Sequence, residues 1–243
     1  MTYCLGILTR EGLVLGSDSR TNAGYDDVTV CRKMHQFVTP GERAFILLCS
    51  GSLSLSQSVL TLLDRDFQRG AGLAVAATMY DAARVVGEQV RHVSALDRRD
   101  LERDGYRYNV HIILGGQIRG EPHRLYLVYP QGNPLSAAEE SPYLQIGESK
   151  YGRPILDRGI SYDQTTLEEA AKYALISLDS TMRSNVTVGP PIDLAVYVAD
   201  EFRITRHRRF GPLDPDLTAV RVQWEQTLRK GVRDLPTVRF GGE

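Results

Sequence analysis

The chain has 243 residues, of which 42% are hydrophobic and 24% charged, enough to bury one large core. We therefore predict a single domain over residues 1–243, with a C-terminal extension from about residue 210. A formal net charge of −1 excludes a global field that would attract nucleic acid or an anionic membrane. No apolar run approaches the ~20 residues that span a bilayer, and no signal-peptide pattern opens the chain, so we expect a cytoplasmic protein.

The first part of the chain is predicted to form strands. Residues 3–9 and 13–17 are short apolar segments on either side of Arg10-Glu11-Gly12, a pattern typical of a tight hairpin. Segments near 28–38 and 44–50 continue the strand pattern. Because these segments are almost continuously apolar, we expect a sheet that is covered on both faces.

The spacing of the apolar residues then changes twice along the chain. Apolar residues recur at helical spacing from Leu55 to Leu63 and from Val75 to Val90, which predicts two helices. Strand-like sequence resumes in three segments, 107–116, 122–130 and 142–147, which glycine, proline and asparagine residues separate.

A second helical region follows these strands. Thr166-Leu167-Glu168-Glu169 has the hydroxyl and carboxylate spacing of a capping box, which predicts the start of a helix there. Two further strands are predicted at 192–199 and 202–208, and a short amphipathic helix at about 214–230. Because strands and helices come in groups rather than in strict alternation, the order indicates an α+β fold of antiparallel sheets with helices outside them.

Cysteines and short motifs give no sign of a metal or cofactor. Cys4, Cys31 and Cys49 lie in apolar, strand-like sequence without C-x-x-C spacing, which argues against a disulfide framework and against a zinc site. The five histidines show no metal-ligand spacing, and there is no phosphate loop or dinucleotide glycine signature. We therefore expect neither a metal nor a cofactor.

Thr2 is a candidate nucleophile because it follows the initiator methionine. Methionine aminopeptidase generally requires a small second residue, so we expect Met1 to be removed. A free N-terminal threonine carries a hydroxyl and an α-amine with a reference pKa of about 7.7–8.0, which suits a general base at neutral pH. Many ordinary proteins also begin with Met-Thr, so this feature alone leaves both interpretations open.

Asp18 and Lys33 are candidate partners of Thr2. In a hairpin centred near Glu11, residue 4 faces about residue 18, which places Asp18 within about two strand positions of Thr2. An exposed turn carboxylate is the alternative for Asp18. Lys33 either points outward from its apolar segment or lies near the Thr2 hydroxyl, where its charge would favour the alkoxide. Periodicity does not bring Lys33 to Thr2.

Several stretches of the sequence resemble proteasome β subunits and bacterial proteasome-like peptidases. They are Thr2-Tyr3-Cys4-Leu5-Gly6, Gly16-Ser17-Asp18-Ser19-Arg20, Arg32-Lys33-Met34 and Ser50-Gly51-Ser52. Longer stretches resemble the bacterial group called Anbu, the ancestral β subunit. These are Ser17-Asp18-Ser19-Arg20-Thr21-Asn22-Ala23-Gly24, Ile146-Gly147-Glu148-Ser149-Lys150-Tyr151-Gly152 and Leu178-Asp179-Ser180-Thr181-Met182-Arg183-Ser184-Asn185.

The resemblance spans most of residues 2–198 and implies a four-layer αββα sandwich, the fold of N-terminal-nucleophile hydrolases. It implies that Thr2 is both nucleophile and base and that Asp18 and Lys33 are its electrostatic partners. It also implies that the backbone N–H of Gly51, beside the supporting Ser50, donates to an oxyanion. A glycine there lets the backbone approach the substrate closely.

The sequence departs from the proteasome pattern around the supporting residues. Proteasome β subunits carry a Ser-Gly pair where this chain has Gly147-Glu148-Ser149, so Glu148 replaces a supporting serine and Ser149 lies one residue further on. By the resemblance, a supporting aspartate maps to Asp179, and Met182 stands where its serine partner would be, with Ser180 and Ser184 as nearby substitutes. Glu148 either binds the ammonium group of Thr2 or has a plain surface role.

The function that this resemblance predicts is a bacterial threonine-type peptidase, which hydrolyses peptide amide bonds through an acyl-enzyme on Thr2. Two alternatives stay open: an amidohydrolase or transferase of small amides, and an assembly or scaffold protein with little turnover. The resemblance also implies a homo-oligomer, ring-like or open and helical, that acts on peptides or unfolded chains. We expect neither nucleic acid nor membrane as a partner.

Overall fold

The computed structural model describes residues 2–22, 28–105 and 108–240. Met1, whose removal the predicted nucleophile requires, lies outside these residues, as do Ala23 and Gly24 at the end of one resembling stretch. The strands are β1 (Tyr3–Thr9), β2 (Gly12–Ser17), β3 (Arg20–Asn22), β4 (Val28–Val30), β5 (Met34–Thr39), β6 (Arg43–Gly51), β7 (Val110–Ile118), β8 (Arg124–Val128), β9 (Pro134–Ser136), β10 (Tyr143–Gly147), β11 (Ile192–Val198) and β12 (Arg206–Phe210). The helices are α1 (Leu53–Gln68), α2 (Met79–Arg103), α3 (Arg153–Gly159), α4 (Leu167–Ser184) and α5 (Pro215–Arg233), with a short 3-10 helix at Gly72–Ala74.

Two five-stranded sheets form the centre of the fold. The first has the strand order β10-β1-β2-β11-β12, and the second has the order β5-β6-β7-β8-β9. Neighbouring strands in both sheets are antiparallel, as the grouping of elements along the chain predicted. The short strands β3 and β4 pair with each other outside the two sheets.

The central strands of the two sheets are covered on both faces, which explains why β1, β2, β6 and β7 are almost continuously apolar. Leu15 of β2 belongs with Ile46 and Leu48 of β6 to the core between the sheets. Successive side chains of a strand point to opposite faces, so Leu47 joins the core beneath α1 and α2, and Val14 joins the core beneath α4. The layers therefore run helices, sheet, sheet, helices, and the predicted αββα sandwich is confirmed.

The β1–β2 hairpin sets the position of Asp18 relative to the start of the chain. Cys4 pairs with Ser17, so the turn consists of residues 10–11. The predicted pairing of residue 4 with about residue 18 was wrong by one position, because the turn has two residues and its centre falls between them. Asp18 instead lies opposite Tyr3, where its backbone N–H donates to the Tyr3 carbonyl at 3.1 Å.

The predicted capping box at the start of α4 is present. The hydroxyl of Thr166 accepts from the Glu169 backbone N–H at 3.2 Å, and the Glu169 carboxylate accepts from the Thr166 N–H at 3.0 Å. These two bonds satisfy N–H groups that the first turn of a helix leaves without intrahelical partners. The helix they begin covers the outer face of the first sheet.

The end of the fold differs from the sequence prediction. The last strand was expected at 202–208 but runs over Arg206–Phe210. The turn before it is longer than the two residues assumed: Asp200 and Phe202 adopt positive φ angles of 64° and 45°, and their backbone N–H groups donate to the side chains of Gln117 and Tyr197 rather than to a strand. The second helical region consists of two helices, α3 and α4, whereas the short strands β3 and β9 were not predicted as separate elements.

The C-terminal helix α5 lies against α4 through one end. Leu217 in its first turn is buried in the core beneath α4. Further along the helix, Val222, Leu228 and Val232 are exposed. Within the ranges that the structure describes, no helix combines the length and apolar character needed to cross a membrane.

Candidate active site

Thr2 lies at the entrance to β1, on the wall of a cleft of about 830 Å³. It is half-buried, and its carbonyl accepts a hydrogen bond from the backbone N–H of Glu148 at 2.8 Å. The next residue, Tyr3, pairs with Gly147 of β10 on the same side. The backbone of Thr2 is thus fixed by the edge of the first sheet, while its side chain borders an open cleft.

Asp18 lies directly behind this position and is completely buried. Its Oδ1 accepts from the Lys33 ammonium at 2.6 Å and from the Tyr3 backbone N–H at 3.0 Å. Its Oδ2 accepts from the backbone N–H groups of Arg20 and Gly189, both at 3.2 Å. Burial raises the pKa of Asp18, and the Lys33 charge and these hydrogen bonds oppose that rise. The carboxylate is therefore built to balance one buried cation.

Lys33 is that cation. Its side chain is only 8% exposed, and its Nζ donates to Asp18 at 2.6 Å and to the carbonyl of Arg20 at 2.7 Å. It also lines the cleft together with Thr2. An ammonium group has three N–H donors, so one remains beyond these two bonds and is available to the cleft. The structure brings Lys33 to the cleft wall, which strand periodicity did not do.

Lys33 reaches this position through the second sheet. It immediately precedes β5, and its carbonyl accepts from the backbone N–H of Cys49 in β6 at 3.1 Å. The first sheet supplies Thr2 and Asp18. The ion pair between Lys33 and Asp18 therefore joins the two sheets beside the cleft.

Gly51 ends β6 on the same cleft wall, next to Ser50, which is buried. Its φ of +108° is a conformation that L side chains rarely adopt, and an added Cβ would lie 2.1 Å from the Asn109 carbonyl oxygen. The Ser52 backbone N–H donates to that same carbonyl at 2.8 Å, just before α1 begins. Glycine is thus required at 51, and the strand end it forms faces the cleft beside Lys33 and Thr2.

Gly147 has a second close backbone contact in the site. Its φ is +86°, and a Cβ there would lie 1.9 Å from the carbonyl oxygen of Thr2. The absence of a side chain lets β10 approach Thr2 closely enough for the Glu148 hydrogen bond. This glycine therefore positions the candidate nucleophile.

Glu148, which the sequence assigned to a supporting role, is buried beside Thr2. Its Oε2 accepts from the Nδ2 of Asn185 at 3.0 Å. The Oδ1 of Asn185 in turn accepts from the backbone N–H of Thr187 at 3.0 Å and from its hydroxyl at 2.6 Å. Of the two interpretations of Glu148, burial disfavours the plain surface role. Ser149 is half-buried next to it, and its carbonyl accepts from the Arg153 backbone N–H.

Asn185 and Thr187 are thus members of the site region that sequence reasoning missed. Asn185 ends the last of the stretches that resemble Anbu, immediately after α4. The signal available was a polar residue at the point where a helix returns to the sheet that carries Thr2. The resemblance to known motifs pointed to Asp179 inside α4 instead.

Asp179 and Ser180 are not brought to the cleft wall. Asp179 is buried in α4, where its carboxylate forms ion pairs with Arg221 of α5 at 2.6 Å and with Arg183 at 3.4 Å. Neither Asp179 nor Ser180 is among the described residues that line the cleft. Two arginines balance the charge of Asp179, and the pair with Arg221 ties α5 to α4, while its supporting role toward Thr2 stays a prediction.

The cysteines are free, and two of them border the cleft. Cys4 and Cys49 are buried, and burial raises the pKa of the Cys49 thiol from 9.0 to about 12. Cys31 is partly exposed. In residues 2–22, 28–105 and 108–240, no group of three or more histidine, cysteine, aspartate or glutamate residues is arranged to hold a metal ion.

Comparison with known proteins gives matches over nearly the whole chain. The family model described as "Proteasome subunit" matches residues 2–197. The proteasome subunit beta of Haloferax volcanii is 30% identical over 214 residues, which make up 88% of this chain and 80% of that protein. The likeness therefore includes every residue of the candidate site.

Solved structures of similar sequence share the whole fold. Anbu (ancestral beta-subunit) from Yersinia bercovieri is 42% identical with a TM-score of 0.92, and the match covers 99% of this chain and 100% of that one. A structure of the helical assembly of the Anbu complex from Pseudomonas aeruginosa is 44% identical, also with a TM-score of 0.92, and the match covers 98% of each chain. The C-terminal helix lies within these matches, beyond the end of the family model.

Proposed function

Because this chain belongs to the proteasome subunit family, we propose that it is an N-terminal threonine peptidase that hydrolyses peptide amide bonds through an acyl-enzyme on Thr2. One observation carries the proposal: Thr2 shares a cleft wall with Lys33, whose charge is balanced by the fully buried Asp18. A buried ion pair at a cleft is typical of a functional site, since burying two charges is costly.

The chemistry begins with the removal of Met1, which frees the α-amine of Thr2. The Thr2 Oγ1 attacks the substrate carbonyl carbon, and its proton passes to the α-amine, which acts as general base. The protonated amine then gives that proton to the leaving amine as the amide bond breaks. Water attacks the resulting ester, which releases the acid product and regenerates the Thr2 hydroxyl.

Two groups of the cleft wall stabilise the charge that develops. The Lys33 ammonium, which pairs with Asp18, lowers the free energy of the Thr2 oxygen as it loses its proton. The backbone N–H of Gly51 donates to the oxyanion of the tetrahedral intermediate. A preorganised donor of this kind contributes about 2.7–4 kcal/mol of transition-state stabilisation.

Glu148 is proposed to bind the ammonium form of the Thr2 amine. Its backbone is already hydrogen-bonded to Thr2, and Asn185 holds its carboxylate in place. Glu148 is thus a positioning residue, which orients the amine toward the Thr2 hydroxyl. In this proposal, Glu148 takes the place of the supporting serine of proteasome β subunits.

The active protein is proposed to be a homo-oligomer in the cytoplasm, ring-like or open and helical. Support comes from the relative from Pseudomonas aeruginosa, whose solved structure is a helical assembly. In this chain, the exposed apolar residues Val222, Leu228 and Val232 of α5 are available for contacts between copies.

The proposed function is tested by turnover of fluorogenic substrates with the assembled protein. We expect hydrolysis of peptide amides by the wild type, reduced hydrolysis by Thr2→Ser, which keeps a hydroxyl, and none by Thr2→Ala. Thr205→Ala is the matched control, since Thr205 is exposed in the turn before β12. Turnover by Thr2→Ala, or turnover of small amides such as γ-glutamyl anilides in place of peptides, would contradict the proposal.

A further inference from the structure

The wall of the Thr2 cleft carries basic side chains and, in the part of the chain that the structure describes, no acidic ones. The basic residues that line it are Arg32, Lys33, His35 and His111. The charge of Lys33 is balanced by Asp18, which lies behind it and is not part of the wall. Arg32 therefore leaves the cleft with one positive charge in excess.

The guanidinium of Arg32 can form an ion pair with a molecule bound in the cleft. It lies in the link between β4 and β5, and its side chain is exposed. No described carboxylate forms an ion pair with it. Asp64 shares a neighbouring hollow of about 350 Å³ with Arg32 and His35, but it does not line the Thr2 cleft. The guanidinium is thus available to a carboxylate that enters the cleft.

The two histidines add hydrogen-bond donors to the same wall. Burial lowers the pKa of both His35 and His111, and the charge of Arg32 lowers the pKa of His35 further. Both imidazoles are therefore mostly neutral at neutral pH, and each neutral ring still donates one N–H. His111 packs against the ring of Tyr129, at a centroid separation of 6.4 Å, which restricts its orientation.

Apolar side chains surround these polar groups. Cys49, Leu53, Leu60 and Leu127 line the cleft as well. A guanidinium pairs with a carboxylate through two parallel hydrogen bonds, so a carboxylate is the ligand group that this wall fits best.

We propose that the cleft selects substrates with a carboxylate in the side chain of the residue that forms the acyl-enzyme, a glutamate or an aspartate. This inference rests on the proposed function of Thr2, and it adds the substrate class. Arg32 is the specificity-determining residue, and His35 and His111 support it as neutral donors. A neutral side chain of the same shape leaves Arg32 without a partner and is accepted less well.

The first test compares two fluorogenic peptides that differ only in glutamate or glutamine at the acyl-side residue. We expect a kcat/KM at least about tenfold higher for glutamate, since a charge-assisted hydrogen bond contributes more than a neutral one. Arg32→Gln should bring the ratio close to one. Arg69→Gln is the matched control, because Arg69 is exposed at the far end of α1, about 24 Å from the cleft end of that helix by its rise per residue. Equal rates for the two peptides would overturn the inference.

A binding measurement separates this inference from the proposed function. Calorimetric titration of Thr2→Ala protein with acetyl-Ala-Ala-Glu-amide and its glutamine counterpart requires no turnover. We expect about tenfold tighter binding of the glutamate peptide, lost in Thr2→Ala/Arg32→Gln and kept in Thr2→Ala/Arg69→Gln. Equal binding of the two peptides would overturn the charge selection, even if wild-type protein hydrolyses both. Preferential binding without turnover by the wild type would support the selection and contradict the peptidase.

Discussion

The ion pair between Lys33 and Asp18 gives the sharpest prediction about stability. Lys33→Met removes the cation and keeps most of the side-chain volume, so Asp18 is left as a completely buried carboxylate with backbone donors only. Breaking a buried pair in this way costs about 3–5 kcal/mol. Because three backbone N–H groups still stabilise the carboxylate, we expect the free energy of unfolding to fall by about 3 kcal/mol.

A surface ion pair of the same length is the matched control. Lys172 and Glu168 are separated by 2.7 Å, close to the 2.6 Å of the buried pair, but their side chains are 59% and 80% exposed. Solvent screens such a pair, so Lys172→Met should change the free energy of unfolding very little. The contrast between the two variants isolates burial, because both remove one lysine charge at the same separation.

The assay is urea unfolding at pH 7, with all variants at one protomer concentration, since assembly adds to apparent stability. The double variant Asp18→Asn/Lys33→Met removes both charges and should recover most of the loss. Equal, small losses for Lys33→Met and Lys172→Met would refute the reasoning. So would a double variant no more stable than Lys33→Met.

Two further predictions concern the glycine beside the nucleophile and the alkaline limit of stability. Gly147→Ala should slow the labelling of Thr2 by a β-lactone at least tenfold, because its Cβ would lie 1.9 Å from the Thr2 carbonyl oxygen. Gly120→Ala, at a similar φ of +89° but with no atom within 4 Å, should cost only about 1 kcal/mol of backbone strain and leave labelling unchanged. Equal labelling of the two variants would show that Gly147 does not position Thr2. Burial raises the pKa of Tyr197 from 10.0 to about 12, so between these values the unfolded chain loses a proton that the folded chain keeps. The free energy of unfolding should therefore fall as pH rises through this interval, and it should fall less steeply in Tyr197→Phe. Urea unfolding at pH 9, 10 and 11 measures this dependence, and an equal fall in the wild type and in Tyr197→Phe would contradict the prediction.

Much of the fold could be predicted because its strands and helices follow simple patterns. Both faces of the central strands β1, β2, β6 and β7 are buried, so these strands are continuously apolar, and the capping box at Thr166 marks the start of α4. The resemblance to proteasome β subunits and to Anbu is confirmed by the family model and by the solved structures. Turn geometry was harder to predict. The turn that contains Asp200 and Phe202, both with positive φ angles, is longer than expected, so β12 begins only at Arg206.

The site was less predictable because its residues come from different layers. Lys33 belongs to the second sheet and Asp18 to the first, and a strand pattern contains no information on how two sheet edges meet. Asp179 was assigned from its place in a motif, but Arg221, 42 residues later in the chain, pairs with it. The hydrogen bond between Asn185 and Glu148 is likewise a contact between distant segments, so only the folded chain reveals it.

The central claim is that Thr2 acts as an N-terminal nucleophile, and intact mass spectrometry tests it most directly. The assembled wild-type protein and Thr2→Ala are measured with and without an epoxyketone probe, which reacts with the hydroxyl and the free amine of an N-terminal threonine. We predict a wild-type mass lower by one methionine and a gain of one probe molecule, with no gain in Thr2→Ala. A protein that keeps Met1, or one that loses Met1 and never takes the probe, would contradict the account.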